Sequence, residues 1–138
     1  MGRRVFAVRA AVVLVGALTA LPVEAHHSFA AAFDANALIT VQGVITQVKL
    51  ANPHSWIYLD VTDANGNVVQ WGFEAQTPTA LIRSGVKPDV FKVGSKVTIR
   101  GCHARDATKN EGAAREIILA DGRSFIIGPK GNEPDANR

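Results

Sequence analysis

Two alternating segments joined by Asn65-Gly66 constrain the fold of this chain more than any other feature. Along residues 54–63 every second residue is small or aliphatic, and residues 67–74 show a similar alternation. Such alternation predicts strands that bury one face. Asn-Gly is a strong hairpin signal, because both central positions of the tight turn need a positive φ that these residues tolerate. We therefore predict a β-hairpin over residues 54–74.

A long strand is predicted before this hairpin and a short helix after it. Residues 39–50 are rich in β-branched residues and contain Gly43, which indicates a long strand bent at a bulge. Thr77-Pro78 places a capping residue before a proline, so a helix is predicted to begin there and to stop at Gly85.

Two further strands complete the predicted domain. They are expected at residues 96–102 and 115–127, the second folding back as a hairpin at Asp121-Gly122. The resulting order favours a mainly β fold, a small OB-like five-stranded β-barrel with one short helix between strands 3 and 4. An open β-sandwich is the alternative, although a single helix in mid-chain is less natural there.

The first 25 residues have the pattern of a cleavable signal peptide. Three arginines precede an apolar run over residues 10–21, and small residues follow at Val23 and Ala25. The run is too short to cross a bilayer core of about 30 Å, so we expect cleavage after Ala25, no membrane span and a periplasmic protein. Arg3-Arg4 leaves the general secretory and twin-arginine routes both open. The barrel domain is predicted over residues 26–127, with a flexible tail at 128–138.

Charge and cysteine content narrow the possible partners. The predicted leader carries three arginines and one glutamate, so its removal lowers the net charge from +3 to +1. This low charge argues against nucleic acid as a partner. Cys102 is the single cysteine of the 138 residues, so no internal disulfide can form and packing must hold the fold.

The histidines suggest a copper site. The predicted cleavage makes His26 the new N-terminus, whose α-amine and Nδ1 can chelate one metal ion. A further imidazole from His27 or His54 would complete a nitrogen set that suits copper(II). Phe29 and Phe33 are expected to dock on the barrel and keep these histidines near it. The competing interpretation is a solvated chain end without metal, and a His54 that bonds only to a turn backbone.

An aromatic face offers a second hypothesis. Alternation places Trp56 and Tyr58 on the same outward face as His54, where their rings could stack on a small ligand, a peptide or an envelope protein. Asp60 and Glu74 also face outward, either as additional metal ligands or as ordinary solvated side chains.

No catalytic residues are predicted. Cys102 and His103 are consecutive in a strand and so point to opposite faces, which makes a buried structural cysteine the better interpretation. The chain contains no CxxC, HExxH or GxSxG string and no Gly-rich phosphate loop. We expect a binding protein rather than an enzyme. A copper oxygenase would use the same terminal chelate with an open position, so the sequence leaves that question open.

Several short strings stand out in this arrangement. They are His-His-Ser-Phe at residues 26–29, Phe-Asp at 33–34, Val-Gln-Gly at 41–43, Asn-Pro-His-Ser-Trp at 52–56, Trp-Gly-Phe-Glu at 71–74, the 77–85 helix and the 93–101 strand. In these strings the chain resembles a family of small exported bacterial proteins of unknown function. The resemblance implies a periplasmic OB-like barrel with no established activity, cofactor or catalytic residues. Cys102-His103 departs from the family pattern, in which an aromatic and a basic residue are expected.

Overall fold

The predicted hairpin is present in the computed structural model, which describes residues 29–128. Its strands, β2 (Ser55–Thr62) and β3 (Val68–Ala75), pair antiparallel over their whole length. The turn between them differs from the prediction, because only Gly66 adopts a positive φ. The Asp63 carboxylate accepts hydrogen bonds from the backbone N–H groups of Asn65 and Asn67, and this closes a longer loop in which Asn65 needs no positive φ.

The other elements give a mainly β fold. They are the helices α1 (Phe29–Ala32) and α2 (Pro78–Arg83), a 3₁₀ turn (Pro88–Phe91), and the strands β1 (Phe33–Lys49), β4 (Lys96–Ala104), β5 (Glu111–Leu119) and β6 (Ser124–Ile126). The helix between the third and fourth strands is confirmed. The Thr77 hydroxyl caps it by accepting a hydrogen bond from the N–H of Ala80 at 3.2 Å, and Gly85 follows it with a φ of 81°.

The strands form one sheet in the order β3-β2-β1-β4-β5-β6, with antiparallel neighbours. β3 also pairs in parallel with the start of β5, where Phe73 lies opposite Gly112. The sheet has six strands rather than the predicted five, because the chain after Asp121-Gly122 pairs with β5 as a separate strand.

β1 departs from its predicted form in two ways. It begins at Phe33 rather than at residue 39, because its first residues pair with β4. The irregularity against β2 lies between Ile45 and Gln47, so the bulge predicted at Gly43 is wrong. Gly43 instead permits a close approach, since a Cβ there would lie 2.6 Å from the backbone oxygen of Asp60.

Two apolar clusters hold the sheet together. The main core contains the aliphatic face of the hairpin and the inward residues of β4 and β5, among them Ile57, Phe73 and Ile117. A second cluster, built from Phe33, Cys102, Ala104 and Ala113, lies on the Trp56 side of the sheet.

α1 is anchored to this second cluster. Phe29 packs against it, and the Phe29 and Phe33 ring centroids lie 5.3 Å apart. Phe33 is only 4% exposed. The predicted docking of both phenylalanines is therefore confirmed.

Candidate functional site

The strongest candidate site is the outward side of the hairpin. We define the β2–β3 outer face as His54, Trp56, Tyr58, Gly72 and Glu74. The strand register places Trp56 opposite Glu74 and Tyr58 opposite Gly72. The alternation in the sequence predicted which side chains point outward. The register of β2 and β3 determines which of them lie opposite one another.

His54 and Glu74 lie in contact at the end of this face. The Nδ1 atom of His54 lies 3.1 Å from Oε1 of Glu74, and the two side chains are 46% and 19% exposed. Burial raises the pKa of the Glu74 carboxyl above its usual value, and the positive charge of a protonated His54 opposes that rise. Nδ1 is the ring nitrogen that contacts Glu74, which leaves Nε2 as the nitrogen for another partner.

The two aromatic rings form a platform beside this pair. The Trp56 and Tyr58 centroids lie 6.3 Å apart with an interplanar angle of 19°. A Cβ at Gly72 would lie 3.3 Å from Tyr58 Cε1 and 3.6 Å from Trp56 Cε3, so the absent side chain leaves room for both rings. Lys49 Nζ lies 5.3 Å from the Tyr58 centroid, within cation–π distance.

A groove of about 320 Å³ opens next to the platform. Its lining combines the Tyr58 ring with residues of β3, of the loop before β5 and of the first position of β5: Gln70, Gly72, Lys109, Asn110 and Glu111. The loop is held in place by the N–H of Gly72, which donates to the backbone oxygen of Asn110 at 3.0 Å. Lys109, Asn110 and Glu111 were not predicted as site residues, because no local pattern in the sequence indicates that this segment pairs with β3.

The predicted copper ligands are only partly located. His54 is described and exposed, whereas His26 and His27 lie outside the described residues, as does the predicted signal peptide. Within residues 29–128 no group of three or more His, Cys, Asp or Glu side chains is arranged to hold a metal ion. Glu74 joins His54, while Asp60 lies two residues beyond Tyr58, opposite Gln70.

Cys102 and His103 occupy separate environments, as their adjacency in β4 predicts. Cys102 is fully buried in the second cluster, and burial raises the pKa of its thiol. His103 meets the Trp71 ring edge-on at 5.5 Å, and its Nδ1 lies 2.8 Å from the backbone oxygen of Ala104. The prediction of a buried cysteine is confirmed, and His103 is a second histidine that lies outside the candidate site.

Comparison with known proteins assigns this chain to a family. A family model described as a family of unknown function (DUF6152) matches residues 13–114. The chain belongs to this family. The match contains the β2–β3 outer face and most of the sheet, up to the start of β5. No curated protein and no solved structure matches this DUF6152 chain significantly. Among residues 29–128, none of the helices is long and apolar enough to span a membrane.

Proposed function

We propose that this DUF6152 chain is an exported periplasmic binding module with an OB-like barrel, and that it holds copper through His26, His27 and His54. The barrel proposal is supported by the helix between β3 and β4 and by the parallel pairing of β3 with β5, which links the two halves of the strand order. The leader pattern of residues 1–25 supports export.

The copper proposal rests on the contact between the exposed His54 ring and Glu74. Its Nδ1 faces the Glu74 carboxylate at 3.1 Å, while the side chain remains 46% exposed. A ligating histidine commonly donates its second ring N–H to a carboxylate, which fixes the ring and makes the other nitrogen a better ligand. His54 thus lies on the surface of the sheet with Nδ1 beside the Glu74 carboxylate and Nε2 as the nitrogen proposed to bind the metal ion.

The course of the chain supports a role for the N-terminal histidines. Phe29 and Trp56 pack on the same cluster, and Trp56 lies two residues from His54 on the same face. His27 and His26 precede Phe29 by two and three residues, a reach of about 7 to 10 Å for extended chain. Their imidazoles and a free amine at His26 would supply nitrogen ligands of the type that copper(II) favours.

Copper affinity of two histidine variants tests this proposal. We expect His54→Ala to weaken copper binding by at least about tenfold in a competition titration with a chelator, because one ligand is lost. His103→Ala removes a histidine that packs on Trp71 away from the site, so its copper affinity should equal that of the unmodified protein. Equal affinities for all three proteins would overturn the role of His54, and thermal unfolding of each variant confirms that it is folded.

A second candidate function rests on the groove beside Tyr58. The groove combines an aromatic floor with amide, amine and carboxylate groups, a lining that suits a small polar ligand or a peptide without any metal. Its volume of about 320 Å³ lies at the lower end of ligand-binding cavities.

Ligand screening by NMR tests this second candidate. Chemical-shift changes should cluster at Tyr58, Gly72 and Glu111, and they should disappear in Tyr58→Ala while Trp71→Phe retains them. Shift changes that spread over the whole sheet, or that survive in Tyr58→Ala, would refute a binding groove at this position.

A further inference from the structure

A second exposed surface surrounds α2. Leu50, Ile82 and Val93 are 58%, 72% and 60% exposed, so their aliphatic side chains lie largely in solvent. Leu50 and Ile82 border a shallow apolar groove of about 110 Å³ that is also lined by Phe91 and Lys87. We call the set Leu50, Ile82, Arg83, Lys87, Phe91, Lys92 and Val93 the α2 patch.

Positive charge predominates in the chain segment that contains α2. Residues 78–96 contain four cations, Arg83, Lys87, Lys92 and Lys96, and one carboxylate, Asp89. Asp89 lies 3.7 Å from Arg123, outside this segment. Among residues 29–128, no carboxylate lies within ion-pair distance of Arg83, Lys87 or Lys92. The patch therefore presents uncompensated cations next to exposed aliphatic side chains.

The shape of the patch distinguishes between possible partners. A groove of about 110 Å³ is too small to receive the apolar face of a helix or peptide from another protein. Ile82 and Leu50 border this groove and are also more than half exposed, so a large part of each side chain faces solvent. Exposed aliphatic side chains fit a fluid apolar phase, and cations beside them fit the phosphates at its boundary.

We propose that the α2 patch binds the surface of a bilayer that contains anionic phospholipids. Leu50, Ile82 and Val93 enter the boundary of the acyl chains, while Arg83, Lys87 and Lys92 contact the lipid phosphates. The long stems of these cations let the charged ends reach the headgroups while the aliphatic parts cover apolar surface. This surface is independent of His54 and of the copper proposal.

Vesicle binding with matched variants tests the proposal. The probes are phosphatidylcholine vesicles with and without phosphatidylglycerol, and binding of the purified full chain is measured by co-sedimentation at low and high salt. The N-terminus of every protein is verified by intact mass. Because all variants carry the same N-terminus, any contribution of residues 1–28 is common to all of them.

The chain offers controls for both parts of the patch. Ile82→Ser is compared with Val68→Ser, since Val68 is 63% exposed but lies in β3. Lys87→Gln is compared with Lys109→Gln, an exposed lysine in the loop before β5. Thermal unfolding verifies that each variant is folded, so a loss of binding reports on the surface alone.

We expect binding only to vesicles with phosphatidylglycerol, with a strong decrease at high salt. Lys87→Gln should lower the partition coefficient about fivefold at low salt, and Ile82→Ser about tenfold, because one loses a phosphate contact and the other loses apolar burial. The controls should change it less than twofold. No binding, equal binding to neutral vesicles, or equal losses in the patch and control variants would overturn the proposal. So would a concentration-dependent dimer that Ile82→Ser dissociates, since the patch would then bind a second copy of the chain.

Discussion

The β2–β3 outer face and the α2 patch are both exposed, but they differ in whether a carboxylate lies next to their basic side chains. On the β2–β3 outer face, the Nδ1 atom of His54 lies 3.1 Å from the Glu74 carboxylate. On the α2 patch, Arg83 and Lys87 have no carboxylate within ion-pair distance among the residues that the structure describes. An exposed imidazole beside a carboxylate suits a metal ion, whereas cations without a carboxylate partner among the described residues suit a diffuse anionic surface. We therefore propose different classes of partner for the two surfaces.

The largest effect is expected from the core on which both surfaces depend. Phe73 is fully buried next to Glu74, and Leu81 of α2 packs in the same cluster. Phe73→Ala should lower the free energy of unfolding by about 3–5 kcal/mol, because it leaves a cavity. Urea unfolding measures this loss, and hydrogen exchange should show reduced protection in β3 and α2 together. Unchanged protection of α2 would show that the patch is stabilised independently of the sheet.

A smaller effect is expected from a substitution in β3 that should alter the β2–β3 outer face and leave the α2 patch unaffected. Gly72→Val adds a side chain whose Cβ would lie 3.3 Å from the Tyr58 ring, so the ring must move. We expect a cost of roughly 1–3 kcal/mol from overpacking, together with loss of the groove. Vesicle binding through the α2 patch should stay unchanged in this variant. A crystal structure that retained the Tyr58 ring position would contradict the role assigned to Gly72.

A substitution at the start of α2 should destabilise this helix and leave copper binding unaffected. Thr77→Ala removes the hydroxyl that accepts the N–H of Ala80, and the loss of this cap should cost about 1 kcal/mol. The matched control is Thr79→Ala, in the same helix, because the Thr79 side chain is exposed and makes no hydrogen bond within residues 29–128. Chemical denaturation measures both, while the copper affinity should be the same in each. An equal effect of the two variants would show that the cap does not stabilise α2.

The smallest effect is a pH dependence in the β2–β3 turn. Hydrogen bonds from Asn67 and Asn65 lower the pKa of the Asp63 carboxyl below its ordinary value of 3.8. This ionised group therefore adds stability above the ordinary pKa, and that contribution disappears as the pH falls through the lower, folded-state pKa. Asp63→Asn keeps an acceptor but cannot titrate, so the urea midpoint of the wild type should fall more steeply below pH 4 than that of the variant. Parallel curves would show that Asp63 has the same pKa in the folded and unfolded chain.

Local signals in the sequence were sufficient for the hairpin and the helix. Alternation assigned Trp56 and Tyr58 to the outer face and Ile57 to the core, and Thr77-Pro78 located the start of α2. These features depend on neighbours within a few residues, where backbone preference and periodicity decide the outcome.

Long-range pairing was beyond the sequence. The early start of β1 at Phe33 depends on β4, and the parallel contact of β3 with β5 depends on how the sheet curves. The partnership of His54 with Glu74 likewise follows from the strand register, so Glu74 was only one of two outward carboxylates in the sequence analysis. The candidate site was thus predictable as a face, while its contacts required the structure.

The metal content of the natively exported protein tests the central claim most directly. The full chain, tagged only at its C-terminus, is isolated after export, its N-terminus is confirmed by intact mass, and its copper content is measured by elemental mass spectrometry. The account predicts near-stoichiometric copper in protein that begins at His26, and a large loss of copper in His54→Ala. Protein that begins at His26, contains no copper and rejects micromolar added copper would contradict it.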